Sequence, residues 1–482
     1  MTLNRRVFLM RTAVAACVAA LPRRPAWAAT ESADVIVVGA GFAGLQAALG
    51  LEYAGTTVIV LEARDRVGGR ILTFGDVPGE PEAGGQSIGS GYGRVVGAAA
   101  IAGVTLEDQL PQAQRQPDVT LVLAGKPIPK ADWPGSPRNP FPAGQREIMP
   151  WQYAAMAMAR GNPLKSVDGW FAPDKAALDV SMHEFLRAKG ATEEVIALAY
   201  DTNTSYGTSA RDVSALMMGF VEAFQRAQRS VKPAVFKAKG GNRQIPEGMA
   251  KRLKGGVRLG QAVTAIEGDA TGVTVHTRDG GRYRGKAAIC ALPFAALRRV
   301  RFDPPLAGAQ AEAVKTLPAQ MVTQIALVPA KPFWTEDGLP PAMWTDTLAG
   351  RVFAIPRNPS DDEVVSLLVT AYGKKSAQLD RLGREGAGRF VIAEIERMRP
   401  AAKGRLRVAA LHSWTADPWA GGAWAYFAPG TVTKFMPAMM QPHGRVHFCG
   451  EQTAIHTRGM EGATESGERA GREVTALLAK TA

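Results

Sequence analysis

The stretch from Val35 to Glu62 limits most strongly what this chain can fold into. It begins with the β-branched run Val35–Val38, which is typical of a strand buried on both faces of a parallel sheet. Three glycines follow directly with the spacing G-x-G-x-x-G, then a helical segment rich in small residues, and then the run TTVIVLE. Strand, glycine turn, helix and second strand within about 30 residues predict the βαβ unit of a dinucleotide-binding fold.

Each residue type in this unit has a physical role. Gly39 permits a tight turn, Gly41 lets the backbone approach a pyrophosphate without a Cβ atom, and Gly44 permits close packing of the helix on the strand. The unpaired N–H groups at the helix N-terminus favour phosphate. Glu62 is expected to accept hydrogen bonds from ribose hydroxyls. This unit alone leaves open whether the dinucleotide is NAD or FAD.

Three further segments resemble the flavin amine oxidase family. They are ARDRVGGR after Glu62, PEAGGQSIG from Pro81, and VHFCGEQTAIHTRGMEGATESGERAGREV from Val446. In that family the first two segments are flavin-facing loops, and the third is a strand followed by a closing helix. The resemblance covers nearly the whole chain after its N-terminal segment, and the C-terminal motif argues against NAD as the sole cofactor. It implies FAD, held non-covalently because Gly422-Ala423-Trp424 stands where covalent members carry a cysteine.

The glycine unit and the resemblance together predict the cofactor-binding residues. Val263 corresponds to a family valine whose backbone meets the adenine. The complete predicted set is Gly39, Gly41, Gly44, Glu62, Ala63, Arg64, Gly69, Arg70, Gly85, Gln86, Ser87, Val263, Gly450, Glu451, Gly459, Met460 and Ala463.

The resemblance also implies which residues face the substrate. Trp414 is expected edge-on near the flavin ring, and Trp424 is expected as one wall of an aromatic cage. An apolar cage favours a neutral amine over its ammonium form by desolvation. The second wall of the family's cage falls on Gly459, so the expected cage is half-open, as in bacterial nicotine oxidoreductases. Asn203, Thr204 and Tyr206 are expected where the substrate region meets the flavin.

Gln324 occupies the position where the family usually has a lysine linked to the reaction with oxygen. Glutamine can hold a water molecule as donor and acceptor. It lacks the positive charge that stabilises developing superoxide. We therefore expect slow reoxidation by O₂ and a protein electron acceptor such as a cytochrome. Lys315 and Lys331 are the nearby alternatives for this role.

The expected fold class is α/β, with a discontinuous Rossmann-like FAD-binding domain and an inserted α+β substrate-binding domain. The FAD-binding domain is predicted over 33–110, 235–300 and 405–480. The substrate-binding domain is predicted over 111–234 and 301–404. Ser181 is a candidate N-cap of a helix in this second region.

Residues 1–28 resemble a bacterial twin-arginine export signal, which predicts a periplasmic protein; a general secretory peptide is the alternative. No later window is apolar enough to predict a membrane span.

The formal net charge is +13, and removal of residues 1–28, which hold five arginines and no acid, lowers it to +8. No basic stripe indicates nucleic-acid binding. The basic surface suits an acidic electron-accepting protein. Whether the protein forms a homodimer is left open by the sequence.

The resemblance implies that the enzyme oxidises a small-molecule amine. A hydride passes from the carbon next to a neutral amine nitrogen to the flavin, and the imine is hydrolysed in water. No side chain needs to act as a base. Two alternatives stay open: an FAD-dependent desaturase or isomerase of an apolar non-amine substrate, and a non-catalytic FAD-binding partner protein.

Overall fold

The structure is a computed structural model that describes residues 30–109, 119–358 and 361–480 of the 482-residue chain. The export signal predicted over residues 1–28 and the domain boundary predicted at residues 110–111 lie outside these ranges. No helix within them has the length and apolar character that crossing a membrane requires.

The glycine-rich unit belongs to a five-stranded sheet, here called the parallel sheet. Alternate residues of its central strand enter two different apolar clusters, Val35 and Val37 on one face and Ile36 and Val38 on the other. Such a strand is apolar throughout because both faces are covered. In spatial order the strands are Val257–Arg258, Val58–Leu61, Val35–Val38, Ala287–Cys290 and Val446–Phe448, all parallel.

Two helices pack together on the face of this sheet that carries Val35 and Val37. They are the dinucleotide helix, Phe42–Tyr53, and the closing helix, Gly459–Ala479. A Cβ atom built on Gly467 would lie 2.3 Å from the backbone oxygen of Ala43. The two helices therefore approach closely only because this position is glycine.

A seven-stranded sheet, here called the large sheet, forms the second layer of the site. Helices Gly373–Arg381 and Gly383–Met398 pack on one of its faces. The opposite face carries Val322 and turns toward Trp414 and Leu72. In spatial order the strands are Leu406–Ser413, Val322–Pro329, Val364–Tyr372, Arg351–Pro356, Met343–Thr345, Thr120–Leu123 and Lys126–Ile128.

Two strands differ from the predicted division of the chain. Leu406–Ser413 belongs to the large sheet, although it lies inside the range predicted for the FAD-binding domain. Arg301–Asp303 pairs with Val263–Gly268, although it lies in the range predicted for the substrate-binding domain. Both strands lie next to a predicted boundary, where the pattern of apolar residues does not show which sheet a strand joins.

The remaining elements are three further sheets and ten further α-helices of the described residues. Ser181 caps one of these helices, Met182–Ala188, as predicted, because its Oγ accepts a hydrogen bond from the Glu184 N–H. A second five-stranded sheet consists of Glu31–Ser32, Arg282–Gly285, Val273–Thr277, Val263–Gly268 and Arg301–Asp303. Two small sheets consist of Ile88–Gly89, Val235–Ala238 and Leu106–Asp108, and of Leu72–Thr73 and Glu82–Gly84. Further helices are Gly93–Ala102, Pro150–Gly161, Met182–Ala188, Glu193–Ile196, Ala215–Arg229, Gln244–Arg252, Phe294–Leu297, Gly308–Thr316, Trp334–Asp337 and Val432–Met439.

Candidate active site

A cleft opens at the C-terminal ends of the strands of the parallel sheet, with about 1380 Å³ of empty space including open solvent. This is the edge at which doubly wound sheets bind their ligands. The first turns of the dinucleotide helix and the closing helix both line it. The structure brings most of the predicted cofactor residues to its wall, namely Gly39, Gly41, Glu62, Ala63, Arg64, Gly69, Arg70, Gly85, Val263, Gly450, Glu451, Gly459, Met460 and Ala463.

The floor of the cleft is bare backbone. A Cβ atom on Gly69 would lie 3.3 Å from the Cα atom of Gly41, so two glycines meet where a pyrophosphate needs room. The dinucleotide helix has no side-chain cap, which leaves the N–H groups of its first turn free for an anion. Glu62 is fixed at the wall by hydrogen bonds from the N–H groups of Ala40 (2.9 Å) and Arg64 (3.0 Å). These residues fit the pyrophosphate and ribose of a dinucleotide.

Ion pairs hold the two ends of the chain together around the cleft. The Arg64 guanidinium donates to both carboxylate oxygens of Asp417 at 2.9 Å. Burial acts to raise the pKa of Asp417, but the nearby His412 ring and the hydrogen bonds from Arg64 outweigh it and hold that pKa well below its usual range. Asp417 is therefore charged throughout the neutral range, and the pair fixes one wall of the cleft.

Arg70 joins the same wall to the segment that carries Trp424. Its Nη1 donates to the backbone oxygen of Ala423 and to Oε1 of Glu451, each at 3.1 Å. The same Glu451 oxygen accepts the N–H of Ala425 at 2.8 Å. One arginine and one glutamate therefore set the position of the substrate-side segment relative to the cleft.

Three predicted cofactor residues do not line this cleft. A Cβ atom on Gly44 would lie 1.9 Å from the backbone oxygen of Gly39, which is the helix–strand packing role predicted for it. Gln86 and Ser87 line a second cleft, between residues 75–82 and the end of strand Arg351–Pro356. Their predicted contact with the cofactor stays a prediction, and Gly85, which has a positive φ of 73°, separates them from the residues that line the first cleft.

Trp414, which was predicted to lie edge-on near the flavin ring, packs behind the wall of the cleft. Its side chain is fully buried and does not line the cleft. Its Nε1 donates to the backbone oxygen of Ala83 at 2.8 Å, and a Cβ atom on Gly84 would lie 2.7 Å from its ring. Trp414 therefore supports the loop that leads to Gly85 from behind.

Trp424 lines the cleft and contacts two tyrosines, and these three residues are called the aromatic group below. Ring centroids lie 6.1 Å apart for Trp424 and Tyr206 and 6.4 Å apart for Trp424 and Tyr372. The Trp424 Nε1 donates to the backbone oxygen of Ser205 at 3.0 Å, which fixes the ring. The prediction of a half-open cage omitted Tyr372, which lies on a strand distant in sequence and carries no motif.

The other two expected pocket residues have structural partners. The Asn203 Nδ2 donates to the backbone oxygen of Thr345 at 2.8 Å. The Thr204 Oγ1 donates to the backbone oxygen of Tyr206 at 2.5 Å. Of this predicted trio, Tyr206 is the residue that joins the aromatic group.

Gly459 begins the closing helix with a positive φ of 59°. A Cβ atom there would lie 3.6 Å from the hydroxyl of Tyr92. Burial raises the pKa of Tyr92 to about 12. The preceding residue, Arg458, places its guanidinium 4.8 Å over the ring of Tyr206. Neither Tyr92 nor Arg458 was predicted to lie here. Arg458 could have been found from the sequence, because it is a charged residue next to Gly459 in a motif of small residues.

Gln324 lies on the face of the large sheet that turns toward the cofactor-binding segments, two residues after Val322. It is 4 % exposed and does not line the cleft. Its Oε1 is buried, as is the Oγ1 of Thr370 on the neighbouring strand, and neither has a hydrogen-bond partner in the described ranges. The alternatives Lys315 and Lys331 are both exposed.

The dinucleotide cleft, the closing helix and the aromatic group beside them define a flavin-dependent oxidoreductase. Residues 42–475 match the family described as flavin containing amine oxidoreductase, and the chain belongs to this family. AofH of Mycobacterium tuberculosis, named as a flavin-containing monoamine oxidase, is 31% identical over 475 residues, covering 94% of this chain and 98% of the relative. Human flavin-containing amine oxidase B is 27% identical over 472 residues, covering 94% and 88%.

Solved structures show the same fold. A redesigned putrescine oxidase is 24% identical with a TM-score of 0.74, covering 93% of this chain and 100% of that chain. Cyclohexylamine oxidase from Brevibacterium oxydans is 24% identical with a TM-score of 0.74, covering 92% and 99%. The family membership makes this protein a flavin-dependent amine oxidase with an α/β fold.

Proposed function

We propose that this enzyme holds FAD non-covalently in the cleft and oxidises an amine at the carbon next to nitrogen, after which the imine is hydrolysed in water. The observation that carries this proposal is the aromatic group, because Trp424 lines the cleft and contacts both Tyr206 and Tyr372. The similar proteins are named for amines, including putrescine and cyclohexylamine. When bound, the flavin supplies the two-electron acceptor.

The aromatic group selects and orients the amine. Burial raises the pKa of both Tyr206 and Tyr372, so these phenols stay neutral at physiological pH and do not act as bases. An apolar slot disfavours an ammonium ion and favours the neutral amine. The Trp424 ring, which its hydrogen bond to Ser205 fixes at the wall of the cleft, holds the carbon–hydrogen bond in one direction and so lowers the entropic barrier of the reaction.

The proposal of a non-covalent cofactor rests on Ala423, which lines the cleft at the position where covalent members carry a cysteine. Denatured holoenzyme passed through a filter is expected to release all of its FAD. In an Ala423→Cys variant, we expect flavin to stay with the protein after denaturation. Flavin fluorescence of the wild-type protein band on a denaturing gel would contradict the non-covalent proposal.

We also propose that a protein such as a cytochrome accepts the electrons, and that export through residues 1–28 places the enzyme in the periplasm. The buried, unpartnered oxygens of Gln324 and Thr370 suit a bound water molecule. Neither side chain brings the positive charge that assists oxygen reduction. The net charge of +8 that is left when residues 1–28, with their five arginines, are removed from the +13 of the full sequence suits an acidic partner.

An anaerobic titration of the holoenzyme with primary and secondary amines tests the central proposal. We expect at least one amine to bleach the visible flavin band. If no amine bleaches it while an alkene or a phenol does, the amine proposal is wrong and the enzyme is a desaturase. Air admitted to the bleached sample then measures reoxidation by O₂ directly.

A further inference from the structure

Lys375 is a half-buried lysine whose side-chain nitrogen contacts two uncharged oxygen atoms close to the aromatic group. Its Nζ donates to Oδ1 of Asn203 at 2.9 Å and to the backbone oxygen of Thr345 at 3.1 Å. The neighbouring Lys374 is exposed, as lysines usually are. Because burial removes water from an ammonium ion at a cost in free energy, the position of Lys375 indicates a specific role.

The two oxygen atoms that Lys375 contacts belong to different segments, and these segments also contact each other. The Asn203 Nδ2 donates to the same backbone oxygen of Thr345 at 2.8 Å. Thr345 ends a strand of the large sheet, and Lys375 lies in the first turn of helix Gly373–Arg381. Three segments that are distant in sequence therefore meet at one lysine nitrogen. Lys375, Asn203 and Thr345 are called the lysine junction below.

The Asn203 end of the lysine junction is connected to Tyr206 by a closed turn. The Thr204 Oγ1 accepts the N–H of Tyr206 at 3.1 Å and donates to its backbone oxygen at 2.5 Å. Ser205, inside this turn, accepts a hydrogen bond from the Trp424 Nε1 at 3.0 Å. A displacement of Asn203 would therefore also displace the Tyr206 ring relative to Trp424.

The Lys375 end of the lysine junction is connected to Tyr372, which immediately precedes the helix that carries Lys375. A Cβ atom on Gly373 would lie 3.1 Å from the backbone oxygen of Gly207, so the two segments that carry the tyrosines touch here. Tyr206 and Tyr372 each lie three residues from a member of the lysine junction. The junction therefore controls how far apart these two rings are held.

The Lys375 nitrogen matches its two acceptors best when it is uncharged. A neutral amine has two N–H donors, whereas an ammonium ion has three and would leave one without an acceptor in the lysine junction. Burial lowers the pKa of Lys375 from the usual 10.5 to about 7, although Asp346 acts in the opposite direction. Protonation near neutral pH is therefore expected to loosen the junction.

The other charged groups on the elements around Lys375 have partners of their own. Asp201 accepts the Ala210 N–H, Asp212 accepts the Thr208 N–H, Asp380 accepts the Ser413 hydroxyl, Arg397 pairs with Glu394, and Arg351 lies over the Phe353 ring.

We propose that Lys375 is a positioning residue: by holding the lysine junction together, it sets the distance between the Tyr206 and Tyr372 rings and so the width of the slot for the amine. This inference rests on the proposed amine oxidation. Lys375 does not line the cleft and acts through the two tyrosines. A slot of the wrong width misplaces the carbon–hydrogen bond, so the loss falls on the rate of flavin reduction more than on binding.

Hydrogen–deuterium exchange of the holoenzyme tests the positioning without any substrate. In Lys375→Met, which removes the donor, we expect peptides covering residues 203–208 to exchange about tenfold faster, as loss of a hydrogen bond allows. Lys374→Met, at the exposed neighbouring position, serves as the matched control and should exchange like the wild type. Lys375→Arg, which keeps the donors, should restore part of the protection. Wild-type exchange of this segment in Lys375→Met would overturn the proposal.

The pH dependence of the same exchange is a readout that a merely structural contact would not move. We expect wild-type protection of residues 203–208, corrected for the intrinsic exchange rate, to fall as the pH drops through about 7. Asn203→Asp places a carboxylate beside the Lys375 Nζ, where it pairs with the ammonium ion, and should keep the segment protected at lower pH. The same loss of protection in Asn203→Asp as in the wild type would overturn the proposal.

Anaerobic stopped-flow reduction by phenethylamine and by cyclohexylamine tests the consequence for the reaction. We expect Lys375→Met to lower the limiting rate constant of flavin reduction by roughly tenfold or more while Kd changes by less than about threefold. Lys374→Met should leave both constants unchanged, and Lys375→Arg should recover part of the rate. A variant Lys375→Met that raises Kd alone would overturn the proposal.

The two proposals can fail separately. If both amines reduce Lys375→Met as fast as the wild type, this inference fails and the proposed function stands. If no amine reduces the wild-type flavin while the exchange results are as expected, the control of the two tyrosines by Lys375 stands and amine oxidation fails.

Discussion

Glu82 is a single ionisable group whose burial couples the protein's stability to pH. It accepts hydrogen bonds from the N–H of Asn242 at 2.7 Å and from the Thr73 hydroxyl at 2.8 Å. Burial nevertheless raises its pKa to about 7 from the usual 4.5. Between pH 4.5 and about 7, the Glu82 carboxyl group is ionised in the unfolded chain and protonated in the folded chain. The contribution of Glu82 is therefore fully present below pH 4.5 and is lost as the pH rises through about 7.

Glu82→Gln should remove this pH dependence. We expect the free energy of unfolding of the wild-type holoenzyme to fall by on the order of 3 kcal/mol from this group between pH 4.5 and 8, and the variant to lack that fall. Denaturant titrations across this range measure it. Glu385→Gln, at a side chain 87% exposed, serves as the control and should follow the wild type. Parallel curves for Glu82→Gln and wild type would contradict the prediction.

Gln324 determines, in our proposal, how the reduced enzyme is reoxidised. Gln324→Lys introduces a cation at a buried position beside the Thr370 Oγ1, which has no hydrogen-bond partner among the described residues. We expect reoxidation by O₂ to accelerate by roughly tenfold or more, because a fixed positive charge stabilises developing superoxide. Stopped-flow mixing of amine-reduced enzyme with oxygenated buffer measures this rate. Gln324→Met, similar in length but uncharged, should not accelerate it; equal acceleration in both variants would refute the electrostatic reason.

The dinucleotide helix and the closing helix each contain a glycine that can be replaced by alanine as a matched pair, Gly50 in the first and Gly467 in the second. Gly467→Ala places a methyl group 2.3 Å from the backbone oxygen of Ala43, so the helices must separate. We expect a loss of about 1–3 kcal/mol and weaker flavin retention. Gly50→Ala, in the dinucleotide helix with no atom within 4 Å, should stabilise the protein by up to about 1 kcal/mol. Thermal unfolding and the flavin-to-protein absorbance ratio measure both effects, and similar results for the two variants would contradict the packing argument.

The sequence alone was sufficient to predict residue positions where one continuous segment determines both the backbone geometry and the chemistry. The glycine turn, the dinucleotide helix and Glu62 lie within one continuous stretch, so their positions follow from strand and helix periods. Tyr372 contacts Trp424 across a large separation in sequence and is part of an ordinary apolar strand. Only the folded chain brings such pairs together, because neighbouring strands in a sheet need not be neighbours in sequence.

At the scale of the whole molecule, the region boundaries were the least predictable feature. Strand Leu406–Ser413 pairs with Val322–Pro329 although it directly precedes the cofactor-binding C-terminal segment. The ion pair between Arg64 and Asp417 was equally hidden, because the two residues lie far apart in the sequence and meet only in the folded chain. Pairing and charge compensation are properties of the complete fold and leave no local pattern in a single sequence.

The ranges predicted as the FAD-binding domain and the substrate-binding domain should unfold together. Hydrogen bonds connect these two regions at several places: the Ser366 hydroxyl donates to the Pro78 oxygen at 2.7 Å, and the Trp424 Nε1 donates to the Ser205 oxygen at 3.0 Å. A third runs from the Trp170 Nε1 to the Ile455 oxygen at 3.0 Å. Trp133, Trp170 and Trp344 lie in the substrate-binding ranges, whereas Trp419 and Trp424 line the cleft. Tryptophan fluorescence therefore reports on both regions, and flavin fluorescence reports on the cleft.

Added FAD should therefore raise the midpoints of both signals by the same amount. A ligand at 100 times its Kd stabilises the folded state by about 2.7 kcal/mol, and coupling extends this stabilisation to every part that unfolds with the cleft. Thermal unfolding is recorded by both fluorescence signals at two FAD concentrations. A tryptophan transition that splits into a part that FAD shifts and a part that FAD does not move would show two independently unfolding regions. The contacts at Ser366, Trp424 and Trp170 would then be too weak to couple these two regions.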